Sequence, residues 1–377
     1  MKEVIIQPSL DAFEVIESPI PTPKDKFIVI KVVVSGSNPK DWKHPYWNGT
    51  PFNTGDDIAG IVHSVGKDVY EFKPGDRVCA YHEAMNVNGS FAEYATAPDW
   101  ATFHLPHNVS FEEAATIPTA AYTAVVALYI ELKLPAPFDL RGFPEGKKVP
   151  LLIYGVTSAC GAFAAKLARL SGIGPIIGVA GRATDFAMTL ADHVLDYRKG
   201  EDALVAGVQE ILAKEGLGDK VPYVFDAISE GESFEVASRV VDQNGGRITT
   251  VLPYQFFANA RENFRFPDGV EASNTVVLRV FTTHKDVGYI WSRYFGRLLE
   301  AGKLKGHPYE VIPGGLNGVL IGLNKLKDGQ ASGLKYVYKI EESGDVTTGL
   351  HKLDPALVSH KNARKVEEFF KFKFPSE

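Results

Sequence analysis

Residues 149–161 read Val-Pro-Leu-Leu-Ile-Tyr-Gly-Val-Thr-Ser-Ala-Cys-Gly, and the fold of this chain turns on how that stretch resolves. An apolar run, 149–156, passes through a turn of small residues into a helical pattern over Ala159–Leu170. The same rhythm continues downstream. Apolar segments 175–181, 193–198 and 221–229 are each followed by a helix-like segment, at 184–191, 203–215 and 232–240. Two further strand-like runs follow at 245–253 and 275–282. Strands buried on both faces read as continuous apolar runs, and their alternation with helices predicts a parallel, doubly wound sheet. Six such strands fit the dinucleotide-binding (Rossmann) architecture, with Gly155–Gly161 at its first strand-to-helix junction.

That turn predicts a phosphate site built from Gly155, Thr157, Ser158, Ala159 and Gly161. Small residues let the backbone approach a pyrophosphate, and the following helix offers N–H donors and positive potential. The middle glycine of G-x-G-x-x-G is missing, so the motif alone fits a plain tight turn nearly as well. Its place in a six-strand alternation favours the phosphate reading. The second strand then selects the cofactor. An NAD site places an acid about 20 residues beyond the glycines, for the ribose 2′-OH. Here the strand ends Ala180-Gly181-Arg182, with no acid before Asp185. A guanidinium offers a 2′-phosphate paired, charge-assisted donors, so Arg182 predicts NADPH. The competing reading is a solvated loop arginine. Tyr197, closing the third strand, has two readings of equal weight: packing on the ribose side, or an ordinary strand-end aromatic.

Upstream the pattern changes. Segments 27–34, 58–65, 75–81 and 90–97 are β-branched or alternating runs separated by Gly and Pro turns, as in a small all-β barrel. After about residue 287 the chain reads helix, turn, helix and a last strand at 336–340. The expected domains are 1–122, completed by 288–377, and a Rossmann domain at 123–287. Residues 341–377 form a C-terminal extension in which Val366, Phe369, Phe370, Phe372 and Phe374 suggest a short amphipathic piece.

Composition narrows the function classes. With 45% hydrophobic residues and a net charge of −6, the chain has a sizeable core and no basic block to attract nucleic acid or an anionic membrane. The first residues hold acids and no long apolar region, and the longest apolar stretches look strand-sized. Two cysteines, Cys79 and Cys160, make no disulfide framework, so a reducing, cytoplasmic setting is expected. No G-x-S-x-G elbow is present, which removes the common hydrolase reading.

An ordered series of motifs carries a family resemblance. It runs through Asn38-Pro39-Lys40-Asp41-Trp42-Lys43, Gly55-Asp56-Asp57-Ile58-Ala59-Gly60, Phe72-Lys73-Pro74-Gly75-Asp76-Arg77-Val78 and Gly89-Ser90-Phe91-Ala92-Glu93-Tyr94. Ala114-Ala115-Thr116-Ile117-Pro118, Thr123-Ala124, Gly302-Lys303-Leu304, His307-Pro308 and Ser332-Gly333-Leu334-Lys335 follow. Together, over residues 1 to about 340, they resemble the medium-chain dehydrogenase/reductases, most of all the fungal trans-acting enoyl reductases and the quinone-oxidoreductase-like proteins. The resemblance implies a GroES-like β-barrel catalytic domain beside the Rossmann domain, with substrate in the cleft between them. Where zinc-dependent members carry a Cys and a Gly-His-Glu, this chain has Asn38 and Asp56-Asp57, and the four-cysteine lobe after Cys79 is missing. His44, His63, His82 and Asp57 lack ligand spacing, so a zinc-free enzyme is expected.

The resemblance also implies roles. Lys43 is the donor that polarises the substrate carbonyl, Asn38 shapes the same pocket, and Thr123 contacts the nicotinamide carboxamide. Lys335 resembles a family lysine near the cofactor phosphates. The rival readings are a surface lysine after a turn for Lys43 and a solvated loop lysine for Lys335. Tyr46, Trp47 and Tyr122 either line the substrate cleft or belong to the core. The expected reaction is NADPH-dependent reduction of a C=C bond conjugated to a carbonyl, in an enone, enoyl thioester or quinone. Aldehyde reduction by the same machinery and a non-catalytic NADPH-binding redox sensor or scaffold are the alternatives. The expected partners are a small-molecule substrate, a second copy if the chain is not a monomer, and a larger synthase if it acts in trans.

Overall fold

The computed structural model describes residues 1–140, 142–144, 146–254 and 264–354, apart from the side chain of Trp47. The tail residues Val366, Phe369, Phe370, Phe372 and Phe374 lie outside the described residues, as does the side chain of Trp47. The chain divides into two units. The first is Met1–Thr119 together with the chain from Leu278 onward, and the second is Ala120–Val277.

The first unit is built on β1 (Lys2–Ile6), β2 (Ala12–Glu17), β3 (Phe27–Gly36), β4 (Asp57–Val65), β5 (Arg77–Tyr81), β6 (Tyr94–Pro98) and β7 (Thr102–His104). Ten-residue β3 is the spine. It pairs antiparallel with β4 along its length, and with β6 over Phe27–Lys31. Register shifts after Val29 and Val32 interrupt the β3–β4 ladder; irregularities of this kind bend a strand and let a sheet curl. Alternation does the rest: Ile28, Ile30 and Val32 of β3 share one core with Ile58 and Val62 of β4 and Val78 and Ala80 of β5. Helix α1 (Pro39–Asn48) leaves the end of β3 and precedes β4, and α2 (Phe111–Ala114) closes this part of the chain.

The second unit opens within α3 (Pro118–Val125). It then alternates β8 (Leu151–Tyr154), α4 (Ala159–Leu170), β9 (Ile176–Ala180), α5 (Thr184–Leu190), β10 (His193–Asp196), α6 (Glu201–Glu215), β11 (Tyr223–Asp226), α7 (Ser233–Val240), β12 (Arg247–Thr250) and β13 (Glu271–Asn274). The sheet order is β10-β9-β8-β11-β12-β13 and every pairing is parallel, so the strand order reverses beside β8. This is the doubly wound arrangement expected from residues 149–161.

One strand differs. The sixth strand is Glu271–Asn274, not the apolar run 275–282, whose residues Val277–Phe281 wind into a 3₁₀ turn. That run is apolar because Val280 and Phe281 are buried, with Phe281 packed against Tyr81 of the first unit. It leads the chain back into that unit, where β14 (Tyr309–Val311), β15 (Lys335–Lys339) and β16 (His351–Lys352) complete the sheets. β15 pairs with the far end of β3, and β16 with β2. The segment Phe111–Glu131 is longer than the strand-sized runs expected. By length and composition it would span a membrane, but 83% of its most apolar window is buried in the protein, as in a core helix.

Candidate active site

In the second unit the Gly155–Gly161 turn has the shape a dinucleotide needs. Gly155 adopts φ +78°, and a Cβ placed there would meet the Ile228 side chain at 2.4 Å. A Cβ on Gly161 would lie 2.2 Å from the Gly155 carbonyl oxygen. Only glycine satisfies either position. Ser158 is the N-cap of α4, its hydroxyl accepting from the Gly161 N–H at 3.0 Å. Thr157, Ser158 and Ala159 remain partly exposed around the N-terminus of this twelve-residue helix. The residues present therefore fit a dinucleotide pyrophosphate. Buried Asp226, at the end of β11, supports the cradle from below. It accepts from the Ile228 N–H at 3.0 Å, the Ser229 N–H at 2.8 Å and the Ser233 hydroxyl at 2.6 Å, which holds Ile228 over Gly155. Burial pushes its carboxyl up to about 6. Sequence reading missed Asp226, whose signal was an acid ending an otherwise apolar strand.

The adjacent strand ends present the candidate adenosine contacts. Arg182 is exposed two residues beyond β9, and Tyr197, 48% exposed, follows β10. Ala180 and Asp196 are register partners, so the two side chains leave neighbouring strands at the same end of the sheet. The Tyr197 ring packs over Gly181, where a Cβ would fall 2.4 Å from its edge. Thr123 is buried on α3, as is neighbouring Tyr122, whose ring is fully enclosed.

In the first unit the polar groups form a buried ionic array. Asp57, fully buried at the start of β4, accepts from Asn38 Nδ2 at 2.8 Å. It also accepts from the Thr119 N–H and hydroxyl, both at 2.7 Å, and from the Lys335 ammonium. Lys335, 3% exposed, donates further to Asn38 Oδ1 at 3.2 Å and the Thr116 carbonyl at 3.4 Å. Two expected site residues therefore lie inside this array. The Lys335 ammonium, expected near the cofactor phosphates, is engaged by three acceptors inside the first unit. Both ends of the Asn38 amide are taken, by Asp57 and Lys335.

A second ion cluster lies on the other side of Asn38. Its backbone N–H donates to Asp41 Oδ2 at 2.7 Å, and Asp41 Oδ1 lies 2.9 Å from Lys40 Nζ. The same ammonium meets Asp56 Oδ2 at 2.5 Å and the Thr54 carbonyl. Burial raises Asp41 to about 7 and Asp56 to about 6, in each case against the pull of Lys40. Burial works against the Lys40 charge, but the two carboxylates outweigh it and its pKa is raised. Lys40, Asp41 and Asp56 were missed in the sequence, where nothing distinguishes them from surface charges. Lys43, one turn further along α1, is half-buried, its ammonium 5.5 Å from the Trp42 ring centroid. Tyr46, half-buried, packs on the barrel core with Lys327 over its ring.

Among the described residues no three His, Cys, Asp or Glu side chains are arranged to hold a metal ion. His82 sits between the Thr96 and Asn86 carbonyls, and His63 lies on the exposed side of β4 against Tyr94. His44 is held down to about 3 by burial and then by the charges of Lys40 and Lys43.

Comparison with known proteins agrees with this architecture. The alcohol dehydrogenase GroES-like domain family matches residues 24–107. Trans-enoyl reductase fsr4 of Gibberella fujikuroi is 41% identical over 325 residues, covering 84% of this chain and 92% of that protein. Trans-enoyl reductase ACTTS2 of Alternaria alternata is 32% identical over 355 residues, covering 90% and 99%. Among solved structures the CurK enoyl reductase superposes with a TM-score of 0.71 over 89% of this chain and 98% of that chain; at 19% identity the likeness is one of fold.

Proposed function

Because the chain belongs to the trans-enoyl reductases of the medium-chain dehydrogenase/reductase type, and so to the nicotinamide-dependent oxidoreductases, we propose that it reduces the C=C bond of an α,β-unsaturated thioester with NADPH and without a metal. The observation that carries this reading is the glycine cradle of the second unit; within the first unit, Lys43 stands on a helix whose neighbouring acids are taken up by lysines rather than left as metal ligands.

A nicotinamide cofactor bound at Gly155–Gly161 supplies the hydride. The chain's own residues do the rest. Gly155, Ser158 and the α4 N-terminus hold the pyrophosphate, Arg182 and Tyr197 the phosphorylated ribose, and Thr123 the carboxamide. As the β-carbon gains a hydride, negative charge grows on the thioester oxygen. Lys43 keeps a proton at Nζ and stabilises that oxygen, the kind of preorganised donor that lowers such barriers. The hydride on the β-carbon and one proton taken from solvent by the α-carbon together saturate the bond. The substrate is carried by a separate synthase, and the setting is cytoplasmic.

NADPH oxidation by the chelator-treated protein, measured with enoyl thioesters, enones, quinones and aldehydes, tests the reading. Enoyl thioesters should turn over fastest. Lys43→Ala should lower kcat on the order of a hundredfold while leaving the NADPH Kd within about twofold. Turnover restricted to aldehydes, loss of activity in chelator, or an unchanged kcat in Lys43→Ala would overturn it.

A further inference from the structure

Helix α1 is poorly equipped to hold its own direction. It has ten residues, with Pro45 inside it and Gly49 ending it at φ 64°. A proline in a helix interior removes one backbone hydrogen bond, and helices this short are marginal in water. Lys43, the residue on which the proposed reduction depends, stands just before this weak point. Trp42 and Tyr46 pack α1 on the barrel core, and its first turn ties it to the entry of β4. There the Lys40 ammonium is gripped by Asp41 of the same helix, and by Asp56 and the Thr54 carbonyl of the segment entering β4. Asp41 in turn holds the Asn38 N–H, and Asn38 is tied to Asp57 and Lys335. The Lys40 side chain is 20% exposed, whereas those of Asp41 and Asp56 are 0% and 2% exposed. An ion held between two dry carboxylates is confined far more than a surface pair.

Lys40 and Lys43 are three residues apart, which places them on one helical face. His44 shares their helix; burial first, and then the charges of both lysines, disfavour its protonation.

We propose that Lys40 is a positioning residue for the reduction: clamped by Asp41, Asp56 and the Thr54 carbonyl, it sets the direction of α1 and so the place of the Lys43 ammonium. The inference rests on the reading of Lys43 given above. It assigns Lys40 no contact with substrate or cofactor. The clamp joins the first turn of α1 to the entry of β4, so loosening it displaces Lys43 without touching the glycine cradle.

The test compares Lys40→Arg, Asp56→Asn and Lys40→Met/Asp56→Asn with the unmodified protein and with Lys43→Ala. The double variant removes one charge of each sign, so it avoids stranding two buried carboxylates; Asp56→Asn serves if it fails to fold. Rates are normalised to NADPH-binding sites by titration. The double variant should lose at least tenfold in kcat, with KM and the NADPH Kd within about threefold, and Asp56→Asn should lose less. Lys40→Arg, which keeps the cation, should recover most of the rate. Native kcat in a folded double variant overturns the inference. So does a loss of kcat that follows thermal stability across the set without rescue by Lys40→Arg, because that marks a purely structural clamp. An unaffected Lys43→Ala would instead overturn the reading of Lys43 itself, whatever the Lys40 variants do.

Discussion

In the second unit the candidate binding groups are backbone N–H groups around two obligatory glycines and two exposed strand-end side chains, Arg182 and Tyr197. In the first unit the polar groups around Lys43 are instead five charged side chains, Lys40, Asp41, Asp56, Asp57 and Lys335, brought together from three separate stretches of chain and largely enclosed. Two positive residues expected to do similar work, Arg182 and Lys335, therefore have opposite environments. An exposed cation at a strand end stands where a ligand can approach it from solvent. A cation surrounded by three internal acceptors is part of the scaffold. Chemical type did not separate them; burial did.

The sharpest way to break this contrast is to remove the buried cation. Lys335→Met leaves Asp57 without its counter-ion in a dry site, and losing one partner of a buried pair costs about 3–5 kcal/mol. Denaturant unfolding should show that loss, with little change in NADPH affinity for the folded fraction. Native stability combined with weakened NADPH binding would return Lys335 to the cofactor phosphates.

The exposed cation should behave the other way. Arg182→Asp exchanges attraction for repulsion at the proposed 2′-phosphate and supplies an acceptor for a ribose hydroxyl. Charge-assisted hydrogen bonds contribute roughly 1.5–3 kcal/mol each, so the unmodified protein should prefer NADPH over NADH by about tenfold to a few hundredfold. The variant should lose that preference at unchanged stability. Equal Kd values for both cofactors in the unmodified protein would remove Arg182 from the site.

The smallest effect probes the acids around Lys40. Asp56 keeps its proton to about 6 in the folded protein and releases it near 3.8 when unfolded. Between those values the folded state binds more protons, so the Asp56 contribution to stability is present at low pH and declines as pH rises. Buried His44 pulls the other way over part of that range, and the comparison is therefore made between Asp56→Asn and its parent. From pH 4 to 6 the balance should move toward the variant by at most about 1.4 kcal/mol per pH unit. A difference independent of pH would show that Asp56 is ionised throughout.

Much of the second unit was legible because its signals are local. Apolar runs and small residues at a tight turn lie within a few residues of the features they report, and five of the six Rossmann strands appeared where the periodicity placed them. The sixth was misplaced because an apolar run reports burial, not conformation. Residues 277–281 are buried as a 3₁₀ turn, while the edge strand Glu271–Asn274 carries too little apolar character to be noticed. The barrel strands 27–34 and 58–65 were visible for the same local reason. Its ionic array was not, because Lys335 lies 278 residues from Asp57 and the two look like surface charges until they meet.

What this sequence determined by itself is the alternation that builds the parallel sheet, the glycine turn at its first junction, and the run of motifs that places the chain among the trans-enoyl reductases. Tertiary structure alone decided which charges face water and which face one another. It enclosed Lys335 and Asn38 with Asp57, and it gathered Asp41 and Asp56 around Lys40. The reason is physical: periodicity is written in neighbouring residues, whereas the cost of burying an ion and the partners that offset it depend on segments that meet only when the chain has folded.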